Sequence, residues 1–430
     1  MGVMKCTAAG DAMVFRRLPG AYAGFDELRE FILRGDFRYV NLETTVHNFE
    51  CFGSAESGGS WLCAAPEILE DLKQFGFNIL ANANNHALDY SYGGLEKTLE
   101  NIRAAGFQPC GTGMSLAEAA APVYLDTLAG RFALIGACST FHPGDMAGEQ
   151  TRTLPGRPGI NGIRHKTVYK VTAEQMECLK SIAAGTAING QKDISRAEGY
   201  LPPIPEGKMV LGELEFQVSD APGMETTVNP VDMGRMGAMI REARFMADMV
   251  IVSMHSHEIR ARSKEEPAQF YEDFCHKCID AGADAVIGTG PHLLRPIEIY
   301  RGKPIFYSLG DFIIQLENIQ RAPTGMFEKQ HLSGNATLDE LFNARSDNGR
   351  RGLCYQRIMH ESVVPYWEME NGELTKLTLL PVEMNFGEPR SRAGWPRPKA
   401  DAGILERLAA MSEPYGVKIE IEGGVGRVAL

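Results

Sequence analysis

Five polar side chains follow short apolar runs at widely separated points of the sequence, and their types are those that bind divalent cations. The residues are Asp11 after "KCTAAG", Glu43 after "YVNL", Asn85 after "ILANAN", His255 after "VIVSM" and His292 after "VIGTGP". Carboxylate, amide and imidazole groups suit divalent Mn, Fe or Zn better than a thiolate set would. The sequence therefore predicts a site for one or two divalent ions, with Ca and Mg as open alternatives.

The stretch "ANANNHALDY", residues 81–90, places a histidine beside two asparagines and an aspartate three residues later. Asn85 would give the metal a carbonyl oxygen, and His86 would stand beside the metal as an acid or base. Asp89 would hold one nitrogen of an imidazole ring and so fix its tautomer. A lone histidine in a loop is usually solvated, so this prediction depends on the five positions taken together.

Alternating strand-like and helical segments are expected to position these residues. Short β-rich runs such as "FNILANAN" alternate with helical runs such as "YGGLEKTLENIRAAG" that end at glycine. This order predicts an α/β fold, in which ligands bind at strand ends. Residues from about 143 to 230 are rich in Gly and Pro, break the order and are interpreted as an insertion over the core.

Composition and charge exclude some classes of protein. A chain of 430 residues, 44% hydrophobic and 23% charged, can bury a large core. The net charge of -12 argues against nucleic acid as a partner. No window is apolar over the roughly 18 residues that a membrane span needs, so we expect no span and a soluble, cytoplasmic protein. The expected partner is a small-molecule or peptide substrate, an anionic one included, and the oligomeric state is not predicted.

Several blocks of the sequence resemble the signature blocks of one bacterial family. They are "AAGDAMV", "YVNLETTV", "ANANNHALDY", "VIVSMHSHEI", and "GPHLLRP" with "YSLGDF". They are similar, in this order, to blocks of the capsule-synthesis (CapA-type, poly-γ-glutamate) family, a branch of the calcineurin-like metallophosphatase superfamily. The resemblance covers residues from about 5 to 315 and implies a four-layer metallophosphatase-like sandwich of two mixed β-sheets flanked by helices.

We place this metallophosphatase-like domain in residues 1–355. Residues 356–430 are expected to form a hairpin and helix extension that packs on the core, because "YWEMENGELTKLTLL" contains the turn signal Asn371-Gly372.

The resemblance also implies a role for each matching residue. Asp11 would be the first-strand ligand, Glu43 would take the place of a bridging aspartate, and Asn85 would be an amide ligand. His255 and His292 would be imidazole ligands, and His86 would be the general acid. Such a centre lowers the pKa of a bound water and polarises a phosphoryl or carbonyl oxygen, so hydrolysis is the default chemistry.

The sequence departs from the expected pattern at three positions. Met13 stands where the superfamily has a histidine, and Gly290 replaces a second histidine. His257 stands where the family has glycine, next to Glu258, which matches a family glutamate. We expect His257 to compensate at the site as a ligand or as a base, with a surface histidine as the alternative. Relatives that assist capsule export usually carry a membrane anchor, and the sequence shows no apolar run of that length.

Arginines after the motif strands are candidates for binding an anionic substrate. Arg295 follows His292 by three residues, and Arg157 and Arg164 lie in "GRPGINGIR". A guanidinium binds carboxylate or phosphate through two parallel hydrogen bonds, although surface arginines are common. Glu258 is included in this substrate-binding set. The turn that contains Ser308 and Asp311 is interpreted as structural.

Three functions remain open from the sequence. The first is a metal-dependent hydrolase that acts on a phosphoester or on an amide of a glutamate-like or peptide substrate. The second is a metal-dependent peptide epimerase, in which His86 and His257 would be the two bases. The third is a non-catalytic binding subunit of a polymer-synthesis complex.

Overall fold

A computed structural model describes residues 2–430 of the chain. Its strands are β1 Met4–Met13, β2 Phe37–Leu42, β3 Thr45–Val46, β4 Cys63–Ala64, β5 Ile79–Ala81, β6 Thr112–Gly113, β7 Val123–Thr127, β8 Gly130–Cys138, β9 Gly159–Ile160, β10 His165–Val171, β11 Lys208–Leu211, β12 Leu214–Val218, β13 Gly223–Val228, β14 Met249–His255, β15 Ile259–Arg260, β16 Ser263–Pro267, β17 Ala285–Thr289, β18 Ile297–Tyr300, β19 Lys303–Phe306, β20 Asp311–Ile314, β21 Glu361–Glu370, β22 Glu373–Glu383, β23 Arg397–Pro398, β24 Ile419–Glu422 and β25 Val425–Val428. Its α-helices are α1 Phe25–Ile32, α2 Ile68–Gln74, α3 Ser91–Ala104, α4 Leu116–Ala120, α5 Ala173–Thr186, α6 Gly190–Ala197, α7 Pro230–Met246, α8 Gln269–Ala281, α9 Thr324–Glu328, α10 Leu338–Ser346 and α11 Ala402–Ser412.

Local sequence signals explain where several helices begin and end. At the start of α7, the Asn229 side chain accepts hydrogen bonds from two backbone N–H groups, and Pro230 takes the first helical position. A capping box of Thr172 and Gln175 begins α5. Gly282, with φ 117°, ends α8 in the left-handed conformation that glycine adopts without a steric penalty.

Two large sheets carry the chain's core. The nine-stranded sheet has the order β24-β25-β22-β21-β1-β2-β5, with β20 paired to β1 and β23 to β22. The six-stranded sheet has the order β18-β19-β17-β14-β8-β7. β1, β2 and β5 run parallel, as do β8, β14 and β17, so the carboxyl ends of each group lie at one edge of its sheet. The predicted mixed α/β class is confirmed.

Apolar side chains hold these layers together. One buried cluster joins the two sheets, with Cys6 and Phe37 of the nine-stranded sheet packed among Phe132 and Ile251 of the six-stranded one. A second cluster buries α1 and α2 with residues of the nine-stranded sheet. A third buries α7 and α8 with residues of the six-stranded sheet. Burial of this apolar surface is the main stabilising contribution to the fold.

The predicted insertion forms a small unit of its own. Strands β11-β12-β10-β13 make a four-stranded sheet, with α5 and α6 in the same region of the chain. Helix α5, Ala173–Thr186, lies in the segment "TAEQMECLKSIAAGT" of this region. A hydrogen bond of 3.0 Å from the Phe270 N–H to Thr226 Oγ1 ties β13 to the start of α8.

The C-terminal residues add strands to the nine-stranded sheet. The predicted hairpin is present as β21 and β22, with Asn371 and Gly372 at positive φ in its turn. However, β21 pairs antiparallel with β1, from Met4 opposite Met369 to Thr7 opposite Tyr366. The hairpin is therefore part of the nine-stranded sheet, because the edge of β1 opposite β2 needs a partner for its backbone groups.

None of the helices in residues 2–430 combines the length and the apolar composition that a membrane crossing requires.

Gly10 is required where β1 approaches the turn before β20. A Cβ at Gly10 would lie only 1.7 Å from the carbonyl oxygen of Gly310. We expect Gly10→Ala to lower the free energy of unfolding by more than about 4 kcal/mol, because the backbone must move to relieve this overlap. Urea unfolding of Gly10→Ala and of Gly20→Ala, where a Cβ meets nothing within 4 Å, tests this expectation. Equal unfolding midpoints for the two variants would contradict it.

Candidate metal centre

The predicted ligands lie at the carboxyl ends of strands from both large sheets. Asp11 is near the end of β1, Glu43 directly follows β2, and Asn85 lies beyond β5. His255 is the last residue of β14, and His292 follows β17 in the left-handed conformation, with φ 61°. A non-glycine residue held at positive φ is typical of functional sites, where the surroundings impose the conformation.

The Glu43 carboxylate lies at the middle of the group. Its Oε1 is 3.6 Å from His255 Nε2 and 3.9 Å from His86 Nε2, and its Oε2 is 3.9 Å from His292 Nδ1. Ligand atoms of Asp11, Glu43, His292 and Asp311 all lie within 4.8 Å of one another, as do those of Glu43, His257 and His292. The two sets share Glu43 and His292, which fits the bridging position predicted for Glu43.

Unpaired carboxylate oxygens support a cation at this place. Both Glu43 oxygens and Asp311 Oδ2 are fully buried, and no donor among residues 2–430 hydrogen-bonds to them. Burying such groups without a partner is unfavourable by several kcal/mol, and buried charges are usually paired or bound to metals. The residues present therefore fit a divalent ion, held by oxygen and imidazole donors.

Burial and neighbouring charges shift the pKa values of three carboxyl groups at the centre. Burial, with Asp11 and Asp311 nearby, raises the pKa of Glu43 well above its usual value. Burial also raises the pKa of Asp311 to about 6. For Asp11, burial opposes ionisation, but the charge of His255 and its hydrogen bond outweigh this effect and lower the pKa. A cation at the centre would favour the charged form of all three carboxylates.

Contacts at its Nδ1 atom fix the orientation of His255. Its Nδ1 lies 3.0 Å from Thr289 Oγ1, 3.4 Å from Asn41 Nδ2 and 3.5 Å from Asp11 Oδ1. Asn41 also donates to Asp11 Oδ1 at 2.6 Å. These contacts leave His255 Nε2 facing Asn85 Oδ1, 2.7 Å away, which is the arrangement typical of metal-ligating histidines.

His86 and Asp89 form a hydrogen-bonded pair beside the carboxylates. His86 Nδ1 is 2.6 Å from Asp89 Oδ2, and Asp89 also accepts from the backbone N–H groups of Leu62 and Gly58. The sequence-based expectation that Asp89 holds an imidazole nitrogen therefore has the required geometry. The pair leaves His86 Nε2 directed toward Glu43, so this nitrogen is the one available for proton transfer.

Two residues at the centre were missed or read differently from the sequence. Asn41 was not proposed, although the two-residue repeat of a strand places it on the same side as Glu43. Asp311 was read as structural, yet its Oδ1 lies 3.0 Å from His292 Nδ1. The parallel pairing of β1 with β20, in which Asp11 is opposite Asp311, brings it to the centre.

Arg295 and Glu258 are engaged in contacts that do not leave them free for substrate. Arg295 is fully buried and donates to the backbone carbonyls of Ser256, His257, Glu258 and Lys264 at 2.8–3.4 Å. Glu258 accepts hydrogen bonds from three hydroxyl groups, those of Ser139, Thr140 and Ser256. Both residues thus hold the chain around His257, which differs from the substrate contact expected of them.

The structure also places Arg164 and Arg157 in other contacts. The Arg164 Nε and Nη2 atoms donate to the Asp232 carboxylate at 2.8 and 2.9 Å, and this links the start of β10 to α7. Arg157 Nε donates to the Met146 carbonyl at 3.1 Å. Within residues 2–430, neither arginine hydrogen-bonds to a residue of the candidate centre.

Replacement of Arg164 separates its structural contact from a role in substrate binding. We expect Arg164→Ala to lower the free energy of unfolding by about 1–3 kcal/mol, because Asp232 is buried and loses two charged hydrogen bonds. Arg235 still pairs with Asp232 and limits the loss. Denaturant unfolding and metal titration of the variant check this, with unchanged metal binding expected. A selective loss of metal binding at unchanged stability would be the contrary result.

The two positions that lack the expected histidines have structural explanations. Met13 is buried in the apolar cluster that includes α1 and α2, so it contributes to the core. Gly290 has φ 119°, and a Cβ there would lie 2.8 Å from the Ser256 backbone nitrogen. Its own N–H donates to Asp11 Oδ2 at 2.8 Å. A histidine side chain at 290 would require the chain near Ser256 to move.

The fold and site define an α/β protein with a candidate metal centre at the strand ends, and sequence comparison identifies its family. The family described as "Bacterial capsule synthesis protein PGA_cap" matches residues 5–316. The chain belongs to this CapA-type family.

Three relatives illustrate the range of similarity. An uncharacterized protein of Sinorhizobium fredii, y4sH, is 33% identical over 440 residues, covering 98% of this chain and 92% of its own. The PGA biosynthesis protein CapA of Bacillus subtilis is 24% identical over 390 residues, covering 87% and 82%. A probable polyglutamine synthesis accessory protein of Mycobacterium tuberculosis is 29% identical over 290 residues, covering 66% and 57%.

Proposed function

We propose that this protein is a metal-dependent hydrolase whose centre is held by Asp11, Glu43, Asn85, His255 and His292. The observation that carries the proposal is the fully buried Glu43 carboxylate, which has no hydrogen-bond donor among residues 2–430 and lies within 4 Å of three imidazole rings. A divalent ion bound there would activate a water and polarise the bond under attack. We also propose that the two sheets and their helices form the four-layer sandwich expected for this family.

The residues of the chain have distinct tasks in such a reaction. Asn41 and Thr289 orient His255, and Asp311 Oδ1 lies beside His292 Nδ1, the nitrogen that also faces Glu43. Asp89 fixes His86 so that Nε2 is free to give a proton to the leaving group. A positioned general acid of this kind contributes about 10²–10⁴-fold to the rate.

The proposed substrate is an amide of a glutamate-like or peptide compound, with a phosphoester as the second class to test. The named relatives act in PGA biosynthesis or as a polyglutamine synthesis accessory protein, and this supports a γ-glutamyl amide for the present chain. Both bond types are polarised by a metal at the oxygen and need a proton on the leaving group, so the centre suits either.

Hydrolysis by the metal-loaded protein tests this function. The full chain, stripped with chelator and reloaded separately with Mn²⁺, Fe²⁺ or Zn²⁺, would be incubated with γ-glutamyl amides and phosphomonoesters. We expect turnover of at least one class that chelator abolishes and metal restores, and that Asp11→Ala lacks. A loaded wild-type protein that hydrolyses neither class would refute the hydrolase and favour the binding-subunit alternative.

A further inference from the structure

His257 lies among the candidate ligands, where the family has glycine. Its Nε2 is 3.2 Å from His255 Nε2, and its ring centroid is 5.2 Å from that of His292. A ligand atom of His257 lies within 4.8 Å of those of Glu43 and His292. Two ring nitrogens that face each other need either a proton or a cation between them.

Several donor atoms lie close to the His257 ring. From His255 Nε2 the distances are 2.7 Å to Asn85 Oδ1, 3.2 Å to His257 Nε2 and 3.6 Å to Glu43 Oε1. Ligand atoms of His257, Glu43 and His292 lie within 4.8 Å of one another, which is a spacing that can hold one divalent ion. The set that contains His257 is therefore the one with Glu43 and His292, and His255 is its neighbour.

The backbone that carries His257 is fixed from two sides. On one side the Arg295 guanidinium binds the carbonyls of Ser256, His257 and Glu258. On the other side Thr140 Oγ1 accepts from the His257 N–H at 2.9 Å. Thr140 also donates to the Glu258 carboxylate at 2.9 Å. A single fixed loop conformation keeps the ring at the centre with little loss of conformational freedom on binding.

Arg295 is unusual because it is buried and forms no ion pair with a carboxylate among residues 2–430. Its bonds at 2.8–3.4 Å are to backbone oxygens, and burial lowers its pKa to about 10. Lysine keeps the positive charge at this position but cannot reproduce the planar fork of donors. The contacts therefore depend on the shape of the guanidinium as well as on its charge.

We infer that His257 is an additional metal ligand, in a set with Glu43 and His292 beside His255, and that Arg295 is its positioning residue. This ligand offsets the absence of histidine at positions 13 and 290. The inference rests on the proposed metal centre but does not depend on hydrolysis. It also separates two roles for His257, because a ligand contributes to metal affinity whereas a free base for α-proton transfer does not.

Calorimetric titration of chelator-treated full-length protein with Zn²⁺ tests the inference, and absorption spectra of the Co²⁺-loaded protein report the ligand set. The variants are His257→Gly, which restores the family residue, and Arg295→Lys. The controls are His331→Gly, an exposed histidine at φ 57°, and Arg262→Lys, an exposed arginine of the turn between β15 and β16. Thermal unfolding of each metal-free protein shows whether the variant folds.

We expect His257→Gly to lower Zn²⁺ affinity at least about 10-fold and to change the Co²⁺ spectrum. Even the substitution of a residue that only hydrogen-bonds to a metal ligand lowers metal affinity by about 10–100-fold. Arg295→Lys should lower affinity in the same direction, and both controls should match wild type. If Arg295→Lys does not fold, His257→Gly still decides the point.

Unchanged affinity, stoichiometry and Co²⁺ spectrum in His257→Gly would overturn the inference and leave the proposed centre standing. If that variant also lost exchange of a peptide α-proton with D₂O, the base of the epimerase alternative would be the better assignment. Weaker metal binding in a protein that hydrolyses nothing would support the inference and reject only the hydrolase. A wild-type protein that binds no metal would overturn both.

Discussion

Glu43→Gln is expected to lower metal affinity by more than about 100-fold and, in the metal-free protein, to raise the midpoint of thermal unfolding. The loss of affinity follows from removing the negative charge at the middle of the donor set. Even the substitution of a residue that only hydrogen-bonds to a metal ligand lowers metal affinity by about 10–100-fold. The gain in stability follows from burial, because no donor among residues 2–430 hydrogen-bonds to either Glu43 oxygen and a neutral amide is less costly to bury than a carboxylate.

The effect on stability should depend on pH in a defined direction. The folded protein raises the pKa of Glu43, with burial as the main cause, so the folded state holds this proton more tightly than the unfolded state. Metal-free wild type therefore loses stability as pH rises above the ordinary glutamate pKa of about 4.3, and Glu43→Gln does not share this loss.

Melting curves in chelator from pH 5 to 8, with and without added Mn²⁺, would measure both effects. Glu43→Asp is the matched variant that keeps the charge. If metal-free Glu43→Gln melts below wild type from pH 5 to 8, the Glu43 carboxylate makes a stabilising contact in the folded protein, and the expectation is wrong. If Mn²⁺ raises the melting temperature of Glu43→Gln as much as that of wild type, Glu43 is not a ligand.

His86→Asn is expected to lower the hydrolysis rate by about 10²–10⁴-fold on substrates with a poor leaving group while metal content stays at the wild-type value. The imidazole is hydrogen-bonded to Asp89 at one nitrogen, and the other lies 3.9 Å from Glu43 Oε1. The variant loses a proton donor but none of the five proposed ligands. Rates on amides and on p-nitrophenyl esters, with elemental analysis of each sample, would separate the two contributions.

A substrate whose leaving group needs no proton provides the control. p-Nitrophenyl phosphate should lose much less activity in His86→Asn than an alkyl phosphate or a γ-glutamyl amide, and Asp89→Asn should show the same pattern more weakly. Equal losses on all substrates would mean that His86 acts in binding or structure. A loss of bound metal in His86→Asn would make it a ligand.

The positions of the proposed ligands at strand ends could be predicted because each lies directly after an apolar run in the sequence. Parallel strands bring such positions to one edge, so Glu43 and His255 were identifiable without a structure. Asp311 was not, because its position depends on the pairing of β20 with β1 across three hundred residues, which local periodicity does not report. The same reason explains why the pairing of the C-terminal hairpin with β1 was not predicted.

The roles of the charged residues around the centre were harder to predict than the ligands. Arg295 has the type and spacing of a substrate clamp, but backbone carbonyls occupy its donors. Arg164 is similarly engaged by Asp232. Sequence patterns give the position of a donor along a strand or loop, whereas the partner it finds depends on the tertiary fold. For this reason the sequence located the proposed ligand positions, whereas it did not report the contacts that the arginines make.

Elemental analysis of purified wild-type protein beside Asp11→Ala and His292→Ala, under matched metal loading, tests the central claim most directly. We expect one or two equivalents of a divalent metal in wild type and a marked loss in each variant, with circular dichroism showing that all three proteins are folded. Wild-type protein that binds no divalent metal under any loading condition would contradict it, since the buried carboxylates and imidazoles would then need another explanation.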